Sequence, residues 1–294
     1  MNDRGAIRVR VLVTGAGGML GRDVIEACER RGHDVVGLAR KDLDVTDGPW
    51  VDAYVSRLRP DVIVDCAAWT DVDGAEAHER AAMAVNDTGA GLLAVAAGTV
   101  GASIIYPSTD YVFDGGKGFP YVESDLPTPL SAYGRSKLAG ETSVAVANSR
   151  HMIVRSAWLF GTGGANFIET MLRIGAEQPE VLVVSDQVGS PTYTRHLAGA
   201  IALLAESDDY GVYHVTGSGS CSWFEFAQEI FDQAGLDTRV MAARTKMLGR
   251  PAARPAYSVL ASERPDPVVL PNWRVALAEY MAERDRAAAG AGQA

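Results

Sequence analysis

The chain has 294 residues, 47% of them hydrophobic and 22% charged, with a formal net charge of -10. That length supports a sizeable core in one large domain or two smaller ones. The acidic balance argues against nucleic acid or an anionic membrane as a general partner, but not against a small anion held in a local cradle.

Cys28, Cys66 and Cys221 are odd in number and lack metal-ligand spacing, so they read as reduced thiols of a cytoplasmic protein. Met1 to Arg10 carries charges with no apolar leader run behind it. No stretch reaches the roughly 18 apolar residues of a membrane span.

Arg8 to Thr14 reads as a buried strand bounded by glycine. Gly15-Ala16-Gly17-Gly18-Met19-Leu20-Gly21 follows and opens a helix to about Arg31. The spacing of Gly15, Gly18 and Gly21 is G-x-x-G-x-x-G, one residue looser at its start than G-x-G-x-x-G. Glycine permits a tight turn and lets backbone approach a pyrophosphate seated on the helix N-terminus. A plain strand-turn-helix gives the same spacing, but its place at the head of the first strand-helix unit favours cofactor binding.

Asp34 to Ala39 is the second predicted strand and ends at Arg40. In dinucleotide folds an acid here binds the ribose 2′-hydroxyl, whereas a base holds a 2′-phosphate, so Arg40 favours NADPH over NADH. Asp44 and Val45 lie in a turn placed to flank the adenine, with Asp47 as N-cap of the next helix and Pro49 near its start. Asp61 to Asp65 is the third strand, and the small residues Ala67 and Ala68 before Trp69 let a cofactor lie close over its end.

An alanine-rich helix, about His78 to Gly98, leads to a fourth strand, Ala102 to Pro107. The strand ends in Ser108-Thr109-Asp110, where ligands of open α/β sheets bind, although the two hydroxyls could equally cap the following loop. Tyr111 to Leu130 is a Gly- and Pro-rich loop of functional length.

Ser131 is the predicted N-cap of a helix running to about Asn148 that carries Tyr133 and Lys137. Their i, i+4 spacing stacks both side chains on one face. An unperturbed phenol titrates near pH ~10, and a nearby ammonium lowers that, making the tyrosine usable as an acid/base. YxxxK alone arises often by chance; its company raises it.

His151 to Ala157 is the fifth strand. The alternation then loosens: a helix from Phe167 to about Glu177, a strand Val181 to Val184, and a polar loop Asp186 to Tyr193. A helix Arg195 to Ala205, a strand Tyr210 to Val215, a helix Trp223 to Ala234 and a strand Asp237 to Met241 come next. A Pro-rich loop through Arg254-Pro255 precedes a last helix, Trp273 to Arg286. The predicted fold class is α/β: a doubly wound, Rossmann-type parallel sheet over residues 1–160, an interleaved smaller α/β substrate-binding region over 161–286, and a frayed tail, 287–294.

Five segments in order carry a family resemblance. They are the glycine turn; Ser108-Thr109-Asp110-Tyr111-Val112-Phe113-Asp114-Gly115; Tyr133-Gly134-Arg135-Ser136-Lys137-Leu138-Ala139-Gly140-Glu141; Arg155 to Trp158; and Asp186-Gln187-Val188-Gly189-Ser190-Pro191-Thr192. As a set the chain resembles the extended short-chain dehydrogenase/reductases and, within them, the dTDP-4-dehydrorhamnose reductase branch.

The resemblance implies NAD(P)H-dependent reduction of the C4 ketone of dTDP-6-deoxy-L-lyxo-4-hexulose to dTDP-L-rhamnose. It makes Tyr133 the proton donor, Lys137 the holder of the nicotinamide ribose, and Thr109 a hydrogen-bonding partner of the sugar oxygen or phenol. It places Gly18, Met19 and Leu20 on the pyrophosphate, with Gly15 and Gly21 in the same cofactor turn. Arg40, Asp44, Val45, Ala67, Ala68, Trp69 and Pro107 join them in the cofactor site. Thr109, Asp110, Trp158, Asn166, Gln187 and Arg254 fall on the substrate. The run after Arg254 departs from the branch's pattern and leaves its role on the diphosphate open.

No metal cluster is visible, and a homodimer is common among such folds without any feature here requiring one. Two alternatives stay open: another nucleotide-sugar reductase or epimerase on this scaffold, and a non-catalytic regulatory subunit. The intact Thr109, Tyr133 and Lys137 argue against the second.

Overall fold

The computed structural model describes residues 8–291. The strands are β1 Arg10–Thr14, β2 Asp34–Leu38, β3 Val62–Asp65, β4 Ser103–Thr109, β5 His151–Ser156 and β6 Leu159–Phe160, then β7 Glu180–Val184, β8 Val188–Gly189, β9 Thr192–Tyr193, β10 Gly211–His214, β11 Cys221–Ser222 and β12 Arg239–Ala243. The helices are α1 Met19–Arg30, α2 Gly48–Leu58, α3 Val72–Ala77, α4 Glu79–Met83, α5 Ala90–Val100 and α6 Ala132–Ala147. After them come α7 Phe167–Glu177, α8 Thr194–Leu204, α9 Trp223–Ala234, α10 Thr245–Leu248 and α11 Trp273–Ala291.

Val11, Leu12 and Val13 of β1 and Ile63 and Val64 of β3 are fully buried, as strands covered on both faces must be. They pair in a six-stranded sheet of order β10-β5-β4-β3-β1-β2, parallel throughout. Val11, Val13 and Val64 pack against Val24 of α1 and Leu197 and Ile201 of α8. Leu12, Ile63 and Ile104 face Val51 of α2 and Leu93 of α5 on the other side. A separate core of Phe160, Ile168, Phe226, Trp273 and Tyr280 sits beneath the second half of the chain. The order reverses beside β1, and there the carboxyl ends of β1 and β3 leave a crevice.

The expected single helix from His78 is three pieces, with the separate α3 ahead of it. Asp71 caps α3 by accepting the Gly74 N–H at 2.9 Å, and α4 then passes through a π-turn, 84–89, into α5. Within the π-turn the Asn86 carbonyl accepts the Tyr106 hydroxyl at 2.7 Å. The run 79–100 is apolar and long enough to cross a membrane by composition, yet 44% of its most apolar window is buried. It is a core helix against the sheet and α6.

Other boundaries shift too. β4 continues to Thr109, because β5 pairs with it as far as Ser156. A short helix, α10, occupies what composition gives as loop. β12 lies later than expected, set by pairing Arg239 to Glu180 of β7. The last helix continues past Arg286 to Ala291, and 292–294 of the expected tail lie outside the described residues. β10 and α8, from the second half, complete the main sheet and one of its helical layers.

Candidate active site

The glycine turn is built by close backbone approach. Gly15 adopts φ +62°, and a Cβ there would lie 2.4 Å from the Cys66 carbonyl oxygen. A Cβ on Gly21 would lie 2.4 Å from the Gly15 carbonyl oxygen. Gly17 instead opens onto empty space, and Gly18 begins α1 with no side-chain cap. The first N–H groups of a twelve-residue helix are therefore free for an anion.

Gly15, Gly17 and Gly18 line a cleft of about 330 Å³ together with Arg40, Asp44, Val45, Ala67, Ala68 and Trp69. A bare glycine cradle, an uncapped helix and a basic residue at the end of β2 fit a dinucleotide. Arg40 is 84% exposed and pairs with Asp44 at 3.3 Å. Thr46 donates through backbone and side chain to Asp44, holding that carboxyl below its usual range. Leu20 packs into the core, and neither it nor Met19 nor Gly21 is part of the cleft wall. Pro107 sits within β4 opposite Val154.

Ser131 caps α6 by accepting the Gly134 N–H at 3.1 Å, and that helix carries Tyr133 and Lys137 beside the end of β4. The Tyr133 ring lies edge-on to Tyr111, centroids 5.8 Å apart. Burial pushes its phenol up to about 12, with the Asp110 carboxylate adding to the rise and the Thr109 hydroxyl opposing it. Thr109 also donates to Asp110 at 3.1 Å. The Lys137 amine lies over the Tyr106 ring, 3.8 Å from its centroid. Burial lowers it to about 8 against the opposing pull of Asp65 and Glu141.

The expectation that Lys137 depresses the Tyr133 phenol does not hold in this state. Burial dominates the tyrosine, and the lysine's charged neighbours are carboxylates instead. Asp110 is itself pushed up to about 7 by burial, moderated by hydrogen bonds from Ser258 and Thr109.

A second cleft, about 620 Å³, opens beside Tyr111 and is lined by Trp223, Gln187, Thr245, Arg250 and Arg254. Gln187 is fixed by donating to Thr245 at 2.9 Å. Trp158 does not line this cleft but stacks on Trp223 at 3.6 Å, with a left-handed φ of 49°. Asn166 is also outside its wall: its side chain caps α7 through the Glu169 N–H at 3.1 Å and donates to the Gly161 carbonyl at 2.9 Å.

Three supports lie outside the sequence reading. Asn86 accepts the Trp69 N–H at 2.8 Å and donates to Ser136 at 2.9 Å, tying the cofactor cleft to α6. Asp65 accepts Thr14 at 2.6 Å beneath the glycine turn. Ser108 and Arg155 both donate to Glu141 below the site. A lone Asn in an alanine-rich run was the one visible signal for Asn86, and Asp65 reads as an ordinary strand residue; Ser108, Glu141 and Arg155 stand in the quoted motifs, but their mutual contact is not legible there.

Fold and site together define a dinucleotide-binding protein of the short-chain dehydrogenase/reductase kind. The chain belongs to the family described as RmlD substrate binding domain, whose model matches residues 9–286. It is 46% identical over 282 residues to dTDP-4-dehydrorhamnose reductase of Streptomyces griseus, covering 92% of this chain and 93% of that one. It is 41% identical over 280 residues to spore coat polysaccharide biosynthesis protein SpsK of Bacillus subtilis, covering 95% and 99%. The crystal structure of dTDP-4-dehydrorhamnose reductase from Bacillus anthracis in complex with NADP superposes with a TM-score of 0.92 at 41% identity, covering 94% of this chain and 100% of that one.

Proposed function

We propose that this chain is an NADPH-dependent oxidoreductase that reduces the C4 ketone of dTDP-6-deoxy-L-lyxo-4-hexulose to dTDP-L-rhamnose, a dTDP-4-dehydrorhamnose reductase working in the cytoplasm. The observation that carries this reading is Tyr133, hydrogen-bonded to Thr109 at the end of β4, packed in one cluster with Trp69 of the glycine-cradled cleft and edge-on to Tyr111 of the cleft lined by two arginines. The names of its relatives support the sugar and the nucleotide.

A bound nicotinamide would supply hydride to the carbonyl carbon. The chain's own part is to hold the ketone and manage the charge that grows on its oxygen. The neutral Tyr133 phenol is poised to give that oxygen a proton, and the Thr109 hydroxyl orients it. Lys137 is held by α6 for the cofactor ribose, and the Gly17–Gly18 backbone with the start of α1 for the pyrophosphate. Arg40 is placed to meet a 2′-phosphate. Residues 1–160 would supply the cofactor and catalytic parts, and the region 161–286 most of the sugar-nucleotide cleft.

The test is NADPH oxidation with the dTDP-4-keto sugar. Tyr133→Phe should lower kcat by about two to four orders of magnitude while leaving NADPH affinity intact. Wild-type protein that binds NADPH and consumes none with this sugar would overturn the reading.

A further inference from the structure

α3 carries a carboxylate that neither the proton chemistry nor the cofactor cleft uses. Asp73 accepts Arg254 Nη1 at 3.0 Å on one oxygen and Nη2 at 2.9 Å on the other. The same carboxylate accepts Arg250 Nη1 at 3.1 Å and the Ala252 N–H at 3.1 Å. One acid from the cofactor-binding half thus fixes two arginines and a backbone amide of the segment that walls the second cleft. α3 is anchored on its other side as well, where Glu76 accepts the Ala132 N–H at the head of α6 at 2.8 Å. α6 and the arginine segment are therefore referenced to the same short element.

The donor inventory of Arg254 shows what this arrangement leaves free. A guanidinium has five N–H donors in a rigid fork. Asp73 takes the end formed by Nη1 and Nη2, and the Ala252 carbonyl takes the second Nη1 donor at 2.9 Å. Arg254 also makes a side-chain hydrogen bond with the Tyr111 hydroxyl, so one of its five donors remains, beside that hydroxyl. The remaining guanidinium donor and the Tyr111 hydroxyl, both at the wall of the second cleft, make a pair suited to a phosphate oxygen. Arg254 is 15% exposed and Arg250 59% exposed, so the first is the more deeply held of the two.

We propose that Asp73 is a positioning residue for anion recognition: by clamping Arg254 end-on, it aims the remaining guanidinium donor, beside the Tyr111 hydroxyl, at the diphosphate of the nucleotide sugar. This rests on the function proposed above and adds the element that orients the phosphate-binding arginine. The adjacent arginines hold the Asp73 carboxyl down to about 2, so it stays charged throughout the range in which the enzyme would work. Removing it has opposed effects: one negative charge fewer favours an incoming anion, but Arg254 loses the partner that fixes its rotamer. Orientation wins, because the screened cleft mouth weakens the charge effect while an unaimed guanidinium loses its paired geometry.

The experiment is calorimetric titration of wild type, Asp73→Asn and Asp73→Glu with dTDP and, separately, with NADPH, alongside steady-state kinetics. Asp73→Asn should bind dTDP about tenfold more weakly, the worth of one well-aimed charge-assisted hydrogen bond, with NADPH affinity unchanged. KM for the nucleotide sugar should rise with kcat nearly constant, and Asp73→Glu should recover part of the dTDP affinity. Asp73→Asn that binds dTDP as tightly as wild type, or that loses NADPH and dTDP in parallel, overturns the inference. Wild type that binds NADPH but not dTDP overturns the functional reading beneath it, which separates the two failures.

Discussion

Glu141 and Arg155 meet at 2.7 Å with each side chain only 5% exposed, one on α6 and the other in β5. Ser108 donates to the same carboxylate, and Arg155 reaches on to His214 of β10 at 3.3 Å. The pair therefore ties α6, β4, β5 and β10 together one turn beyond Lys137. Removing one partner of a buried ion pair leaves the other charge without compensation, which costs about 3–5 kcal/mol. Glu141→Gln should lose that much in chemical denaturation, and Glu141→Leu combined with Arg155→Met should recover most of it. A single variant as stable as wild type would show that the pair is not what holds α6 against the sheet.

How far such features are legible in sequence differs from element to element. The glycine turn, the end of β4 and the Tyr133–Lys137 helix were readable because each is local: spacing, a cap and a strand end state the geometry by themselves. Asn86 was not, because its partners, Trp69 and Ser136, come from distant parts of the chain. α3 escaped for a related reason: it is too short to show a helical period, and Asp71, its cap, looks like any loop acid. The placement of β10 beside β5 depends on pairing partners that no local pattern names. Lys137 misled in a different way. Its spacing from Tyr133 is as read, but burial governs both groups, and burial is a property of the packed molecule.

The glycine turn separates two roles that the motif merges. A methyl on Gly21 would sit 2.4 Å from the Gly15 carbonyl oxygen, whereas one on Gly17 would meet nothing within 4 Å. Gly21→Ala should thus destabilise the fold by about 1–3 kcal/mol through forced backbone shift. Gly17→Ala should unfold like wild type yet bind NADPH more weakly, since the added methyl projects where the pyrophosphate would lie. Thermal melts with and without NADPH distinguish the two, and equal melts with equal cofactor shifts would refute the division.

Arg40 ends β2 with its side chain 84% exposed, lightly held by Asp44. Such a group contributes almost nothing to folding but has a free guanidinium for a 2′-phosphate. Arg40→Asp should raise KM for NADPH about tenfold or more and favour NADH, whose ribose hydroxyl can donate to the new carboxylate. Unchanged selectivity between the two coenzymes would move phosphate recognition elsewhere in the cleft.

Lys137 makes a pH-dependent contribution whose sign follows from its burial. Its amine is lowered to about 8 in the folded protein, against about 10.4 in an unfolded chain. Between these values the unfolded state binds more protons, so the contribution to stability rises with pH across that window. Below about pH 8 the folded protein carries a buried ammonium, and the penalty is fully present. Lys137→Met fills the same space with no charge to desolvate. It should be more stable than wild type at neutral pH, with the advantage shrinking as pH approaches about 10. Comparing denaturation midpoints of the two proteins at pH 7 and pH 10 cancels every other titrating group they share. An advantage that grows with pH would mean that Asp65 and Glu141 outweigh burial, and that the lysine's charge stabilises the fold instead of taxing it.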